Sequence, residues 1–418
     1  MQQKNISIFK KAPNNISLEI YSRNWIPMKI LTELYAKYAD EILKHRQHLH
    51  QFPELSYQEF ETQKYILQFL SHTKVDDYGK LANTGAWAQI KGKSSAKSVI
   101  LRADIDALPI QEQNDVPYKS KNKGVMHACG HDVHSSCAMG AIRLLLEMKD
   151  QLEGDVFVLF QPAEERLPGG ATLVIEEGWL QKWNSNAIFA LHVEPEMEIG
   201  KFGIGPGPFM AASDELYIQI FGKGGHGAKP HKTIDPIAVS ADVINNLQKI
   251  VSRKANPLYP TVVTIGKINS NGGATNIIPD SVSMEGTLRT FNEEWRQEAY
   301  QWIQEIIEHT CQAYGAKSEI EIKRGYPALI NDEKLYHQTE KILEMQFGKS
   351  SIQHMPARMG AEDFAFYSEL MPASFIRLGS QNPNKTAIHT ATFDIHEKAL
   401  ETGSIALASL ALHYLSSI

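Results

Sequence analysis

The chain has 418 residues, with 42 Lys+Arg against 48 Asp+Glu and a formal charge of −6 at pH 7. At 43% hydrophobic and 22% charged residues it reads as a globular protein, long enough for two or three domains at roughly 150 residues each. Mild acidity argues against a nucleic-acid binder, which carries a basic face.

Residues 1–30 are polar, with Pro13 and Pro27, and read as a loosely attached N-terminal extension. The opening MQQKNISIFKKAPNN has lysines but no apolar stretch of a secretory signal. No segment approaches the ~20 apolar residues of a membrane span. The cysteines, Cys129, Cys137 and Cys311, form no CxxC, so neither a disulfide framework nor a zinc finger is expected, and a cytoplasmic location fits. An apolar stripe at helical spacing begins near residue 30 (Leu31, Leu34, Ala39, Leu43). Residues 99–103, 156–160 and 187–193 are strand-like runs, each followed by polar sequence. Between the first two, a helix starting near Asp132 places Cys137, Ala141, Leu144 and Leu145 on one face. This alternation predicts an α/β fold with a mostly parallel, helix-covered sheet, whose ligands bind at the carboxyl ends of its strands.

Residues 208–323 read differently. Strands are expected over 215–221, 261–268, 281–291 and 317–323. Helices are expected from Asp235-Pro236 and from the Asn292 cap. The order β-α-β-β-α-β is the ferredoxin-like arrangement. The expected division is therefore a discontinuous unit, 1–207 with 324–418, interrupted by a module at 208–323. A helix over 333–347, a strand over 375–378 and a last helix from about residue 397 complete the chain.

Unusual residues gather at the strand ends. The segment His127-Ala-Cys129-Gly-His131-Asp132-Val-His134 packs three imidazoles, a thiol and a carboxylate at a helix mouth. Cys129 and His131 can turn towards one ion, and thiolate with imidazole suits zinc and other borderline metals. After the strand ending at Phe160 comes Pro162-Ala163-Glu164-Glu165. Adjacent carboxylates there cannot point the same way, so one can bind metal while the other takes a proton from an activated water. Asp106, at a third strand end, is placed to orient a ligating histidine. His192 and His389 add isolated imidazoles. In the module, Gly222, Gly224 and Gly227 match GxGxxG formally, but Pro230 and His231 separate them from the next helix, which argues against a dinucleotide site. The glycines instead let the backbone carry His226 close to a ligand.

These segments, in this order, resemble the M20 family of metallopeptidases, specifically its amidohydrolase branch, subfamily D. The likeness runs from about Arg46 to His396 through LHQFPELSYQE, LRADIDALP, MHACGHDVH, FQPAEE, ALHVEP, GGHGAKPH, ATNIIPD, GTLRTF, MGAEDFAFY and IHTATFD. The resemblance implies a zinc-peptidase-like catalytic domain with an inserted ferredoxin-like lid that also dimerises. It implies two divalent metal ions per subunit (Zn, Mn, Ni or Co) on Cys129, His131, Glu165, His192 and His389, with Cys129 bridging. Glu164 would be the general base, Asp106 would support the ligands, and His226 would act from the lid on the partner's site. Asn276, Arg289 and His231 would meet the substrate. The expected activity is hydrolysis of small-molecule N-acyl amino acids by a homodimer that engages neither nucleic acid nor membrane. The alternatives are a broader dipeptidase or aminoacylase, or a metal-stabilised binding protein without catalysis. The chain departs from the family pattern at Ala361, where serine is usual, in HTATFD, which lacks the usual proline, and in the bulkier loop AEERLPGG.

Overall fold

The computed structural model describes residues 25–384 and 386–416. It opens with α1 (Met28–Ala36), α2 (Ala39–Gln51) and α3 (Phe60–His72), then β1 (Asp77–Leu81), β2 (Gly85–Ile90) and β3 (Ser98–Asp104). There follow α4 (His131–Glu147), β4 (Asp155–Gln161), α5 (Gly170–Glu176), α6 (Trp179–Trp183), β5 (Ala187–Glu194), β6 (Phe202–Ile204) and β7 (Gly207–Met210). The middle of the chain is β8 (Ala212–Phe221), β9 (Gly225–His226), α7 (Pro236–Lys249), β10 (Thr261–Ser270), β11 (Ile277–Ile278), β12 (Ser281–Thr290), α8 (Glu293–Ala313) and β13 (Lys317–Arg324). It ends with β14 (Leu329–Asn331), α9 (Glu333–Phe347), β15 (Ile352–His354), α10 (Ala365–Ser368), β16 (Ala373–Gly379) and α11 (Lys398–Ser416).

Eight strands form the central sheet in the order β1-β2-β4-β3-β5-β16-β6-β15. The β4-β3-β5-β16 centre is parallel, and the antiparallel pairs lie outside it. β3, β4, β5 and β16 are buried at every residue, which is why they read as continuous apolar runs. Alternate residues serve opposite cores. Leu101, Val158 and Phe189 face the layer of α4 and α11, while Ile100, Leu159 and Ile188 face Val174, Trp183 and Phe375. Contact between α4 and α11 is close because glycines sit at the crossing. A Cβ on Gly140 would lie 2.1 Å from Ser404 Oγ, and one on Gly403 would lie 2.5 Å from Cys137 Sγ. Helix α11 is buried on all sides from Ala399 to Leu415 apart from Glu401, so its pattern is apolar throughout.

The second sheet is wholly antiparallel, in the order β10-β12-β8-β13, with α7 and α8 on one face. This is the β-α-β-β-α-β arrangement, and it has its own core, with Leu216, Ile218 and Ile220 packed against Val239, Leu247, Trp295 and Ile303. Asp235 accepts from Ile237 N at 2.9 Å and Asn292 from Trp295 N at 2.7 Å, the side-chain caps that start α7 and α8. The chain enters and leaves this sheet at one clamp. Arg296 is fully buried, donates through Nε to Asp214 Oδ2 at 2.9 Å, and donates through Nη2 to Gly325 O at 3.2 Å.

Some elements differ from the sequence reading. The expected loose extension falls mainly on residues 1–24, which lie outside the described residues. Residues 25–30 are not loose, because Trp25 stacks on His413 at 3.6 Å, Ile26 is buried and α1 begins at Met28. The stripe beginning near residue 30 divides into α1 and α2 around Lys37 and Tyr38. Among the described residues, no helix is long and apolar enough to cross a membrane.

A buried ionic group ties α2 to the start of α4. Arg46, wholly inaccessible, donates to Asp132 Oδ2 at 3.0 Å and to Asp394 Oδ1 at 2.7 Å, and His50 Nδ1 lies 2.8 Å from the same Asp132 oxygen. Burial alone would raise the Asp132 carboxyl, but Arg46 and His50 reverse this and hold it well below the ordinary range. A carboxyl depressed by folding contributes stability above its unfolded value near about pH 4, which is lost as pH falls towards the folded value. Asp132→Asn is therefore expected to lower stability by about 3 kcal/mol at about pH 7, with the gap to wild type closing below about pH 4. Urea unfolding of both proteins across that range checks it, and equal midpoints at neutral pH would refute the role.

Candidate active site

The site forms where the carboxyl ends of β3, β4 and β5 meet the N-terminus of α4. Gly130 caps α4 with φ +86°, and a Cβ there would lie 2.4 Å from Val193 Cγ2, so only glycine lets this loop reach β5. Cys129 is thereby brought against β5, with Sγ 3.4 Å from His192 Nε2. His389 reaches the same sulfur from the loop before α11, Nε2 to Sγ 3.3 Å. Its backbone is left-handed, φ +60°, and its N–H donates to Ala128 O at 2.7 Å. Ala163, just before the glutamate pair, is also left-handed at φ +53°, with its N–H held by Glu59 Oε1 at 2.8 Å. Strained positions of this kind persist where surrounding contacts over-determine them.

The donor atoms converge. His131 Nε2 is 3.8 Å from Glu165 Oε1 and 4.0 Å from Glu164 Oε2, and His389 Nε2 is 3.4 Å from Glu165 Oε1. His131 Nε2 and Glu165 Oε1 are buried with no hydrogen-bond partner, an arrangement that costs free energy unless something completes it. Cys129 with His131 and His192, and Cys129 with Glu165 and His389, are two compact donor sets sharing one sulfur. Thiolate, imidazole and carboxylate suit borderline divalent metals, so the orphaned atoms and the donor chemistry fit a metal pair.

Asp106 braces the cluster. Its Oδ1 lies 3.2 Å from His131 Nδ1, and its Oδ2 accepts from Glu165 N at 3.0 Å and from Ser56 Oγ at 2.7 Å. A carboxylate on the far nitrogen of a ligand histidine fixes its tautomer and ring orientation. His134, one of the three clustered imidazoles, is fully engaged elsewhere. Its Nδ1 meets Asp104 Oδ1 at 2.6 Å and its Nε2 accepts from Val193 N at 2.9 Å. The third, His127, is buried with both ring nitrogens unpartnered, and burial lowers it to about 4, so it is neutral. Burial, followed by the nearby Glu165 and Glu164 charges, pushes the Cys129 thiol well up. Burial opposes the charged form of His131, but Asp104 and Asp106 outweigh it and raise His131 to about 10.

Among the described residues no Lys or Arg pairs with Glu164, and its ion-pair contact is His131 Nε2, 4.0 Å from Oε2. Burial, followed by the charges of Glu362, Glu165 and Asp363, raises its carboxyl well above the ordinary range. A carboxyl lifted in this way can both take and return a proton. Its backbone oxygen accepts from Tyr326 Oη at 2.6 Å. Beneath it, wholly buried Arg102 joins Asp104 Oδ2 at 2.6 Å, Asp363 Oδ1 at 2.8 Å and Glu362 Oε1 at 3.0 Å. The sequence reading assigns no role to Arg102, Glu362 or Asp363. About 260 residues separate these partners in sequence, so no local spacing reveals them.

A cavity of about 820 Å³ opens above the cluster between the two sheets, with Cys129, Glu164, Glu165, His192 and His389 in its wall. Arg289 also lines it from β12, with Nη1 buried and unpartnered. His226, Asn276 and His231 do not line this cavity; they lie elsewhere in the 208–323 module, and His226 and His231 are exposed. His226 pairs with Ile277 across β9 and β11, and Gly227 N donates to Asn276 O at 2.7 Å, so one turn region holds His226 and Asn276.

The sequence model of peptidase family M20/M25/M40 matches residues 100–413. N-acetyl-L-cysteine deacetylase of Bacillus subtilis (strain 168) is 42% identical over 376 residues, 89% of this chain and 88% of that protein. IAA-amino acid hydrolase ILR1-like 4 of Arabidopsis thaliana is 37% identical over 411 residues, 96% of this chain and 92% of that protein. The crystal structure of Bacillus subtilis YXEP, described as a dinuclear metal-binding peptidase of the M20 family, superposes with a TM-score of 0.79 at 35% identity, covering 92% of this chain and 100% of that one. With the family match spanning most of the chain and relatives aligned over nearly all of it, this protein belongs to peptidase family M20/M25/M40 and is a hydrolase of the amidohydrolase kind.

Proposed function

We propose that the protein hydrolyses the amide bond of N-acyl amino acids, using two divalent cations held by Cys129, His131, Glu165, His192 and His389. The observation that carries this reading is the pair of donor sets sharing Cys129, directly beside the buried carboxyl of Glu164. Held there, divalent cations would supply the Lewis acidity that activates a water molecule and polarises an amide carbonyl. Glu164 accepts the water's proton and delivers it to the leaving nitrogen. Asp106 keeps His131 and the Glu165 loop in place while this happens. Substrate choice follows the names of the two relatives, which specify an N-acetyl group or an auxin-type acyl group on an amino acid. The unpartnered Arg289 nitrogen is the group assigned to the substrate carboxylate, as a charge-assisted hydrogen bond.

Residues 208–323 are proposed as a lid and dimerisation domain on a catalytic domain of 1–207 and 324–418. Because His226, Asn276 and His231 do not line their own chain's cavity, we assign His226 and Asn276 to the site of a second subunit, with His231 on the same substrate-facing surface. A cytoplasmic location is retained because Cys129, Cys137 and Cys311 are all free and buried.

Glu164→Gln is expected to keep metal content and folding while losing turnover by about 10²–10⁴-fold, since the amide cannot accept a proton. Near-wild-type turnover of the metal-replete variant would remove Glu164 from the mechanism. Cys129→Ala is expected to lower metal stoichiometry, read by elemental analysis after dialysis, and unchanged stoichiometry would reduce Cys129 to a buried packing residue. His226→Ala is expected to keep its metal and lose about 10²–10³-fold in turnover, the usual effect of one oxyanion donor. Mixing His226→Ala with Glu164→Gln is expected to restore activity in proportion to heterodimer formed. A verified heterodimer without activity would place His226 in its own subunit's site.

A further inference from the structure

Arg377, on β16, lines the cavity and is only 5% exposed. It stands in register with His192 on the neighbouring parallel strand β5, so it borders the proposed metal cluster from within the central sheet. A buried guanidinium is normally paired, because an uncompensated buried charge is costly. Among the described residues, no carboxylate oxygen pairs with this one. Its Nη2 points at Met210 Sδ at 2.9 Å, a weak acceptor, and its Nε is buried with no acceptor. The face of the guanidinium is taken by the Phe375 ring at 5.1 Å, leaving the in-plane N–H edge as its recognition surface. Burial lowers its pKa from the ordinary guanidinium value, against the pull of Glu194 and Glu362.

Other cations lining the cavity are paired, stacked or exposed. Arg358 pairs with Glu194 at 2.5 Å, Lys323 lies over the Tyr217 ring at 4.5 Å, and Arg166 is exposed to solvent. Two guanidinium groups shielded from solvent therefore border one cavity with no carboxylate paired to them among the described residues, Arg289 from the four-stranded sheet and Arg377 from the central sheet. One carboxylate, which every N-acyl amino acid carries, answers only one of them.

We infer that the cavity selects acyl amino acids bearing two carboxylates, with Arg377 binding, through its planar fork, the carboxylate that neutral conjugates lack. This rests on the hydrolase reading above and specifies its substrate class. The second carboxylate has two possible sources, an acidic amino-acid side chain or a dicarboxylic acyl group.

The test compares kcat/KM of the metal-loaded enzyme for N-acetyl-L-alanine, N-acetyl-L-glutamate and N-succinyl-L-alanine. At least one dianion is expected to exceed N-acetyl-L-alanine by about 10-fold, and which one does so identifies the source. In Arg377→Met that roughly 10-fold preference is expected to be lost, mainly through KM, the effect of one lost charge-assisted contact, with partial recovery in Arg377→Lys. Calorimetry on Glu164→Gln provides a readout without turnover, with glutarate expected to bind at least about 10-fold tighter than butyrate and to lose that advantage when Arg377→Met is added. If Arg377→Met does not fold, the wild-type preference and the glutarate-to-butyrate ratio decide. Equal kcat/KM for all three substrates, or a ratio unmoved by Arg377→Met, overturns the assignment. Absence of any amide hydrolysis refutes the hydrolase reading instead, and Arg377-dependent glutarate binding would then stand by itself.

Discussion

Burying many carboxylates together, at the ends of β3 and β4 and in the loop before α10, is the constraint on which this structure turns. Asp104, Asp106, Glu164, Glu362 and Asp363 are all inaccessible or nearly so, and they crowd beneath one cavity. Arg102 is the fixed cation that holds three of them, and Arg46 does the same for Asp132 and Asp394 beside it. Such pairs contribute little net stability over an apolar core, but each member is costly to orphan. Their effect is positional, because a carboxylate held by a buried guanidinium cannot swing away from the site. Glu165 stands in the cavity wall, and its Oε1 and the neighbouring His131 Nε2 are buried with no hydrogen-bond partner.

That arrangement accounts for the local backbone. The donors are far apart in sequence, and three of the segments that carry them are pinned at an unusual conformation. Gly130 turns where a side chain would strike Val193, Ala163 is held left-handed by Glu59, and His389 is held left-handed by Ala128. Asp106 then links two of the loops, bonding the His131 ring and the Glu165 backbone with separate oxygens. Rigid strands supply the platform and the strained loops supply the aim.

The cavity walls come from both sheets, and this division bears on selectivity. The central sheet supplies the donor cluster and Arg377, while β8, β12 and β13 supply Ser213, Arg289 and Lys323. The Asp214–Arg296–Gly325 clamp anchors the second sheet at the point where the chain enters and leaves it. A ligand reaching between the walls would meet fixed cations on either side, so its charge distribution matters as much as its amide. The turn that holds His226 and Asn276, by contrast, does not line this cavity in its own chain.

Strong periodic signals made much of this legible in the sequence. The buried strands 99–103, 156–160 and 187–193 are apolar because both faces are covered, and α7, α8 and α9 carry side-chain caps at Asp235, Asn292 and Asp332 that mark their starts. Donor types at strand ends, from Cys129 to His389, were equally visible because few structural roles call for thiol, imidazole and paired carboxylates together. The β1–β2 hairpin was not legible, since β1 is largely exposed and lacks an apolar alternation. Only the tertiary structure decided which histidine is a free donor and which is a brace. His134 lies three residues from His131, yet Asp104 and Val193 occupy both of its nitrogens while His131 keeps one open. The same holds for Arg102 with Glu362 and for the unpaired Arg377. Hydrogen bonds and ion pairs act over a few ångströms in space, and sequence spacing carries no information about partners that the fold alone brings together.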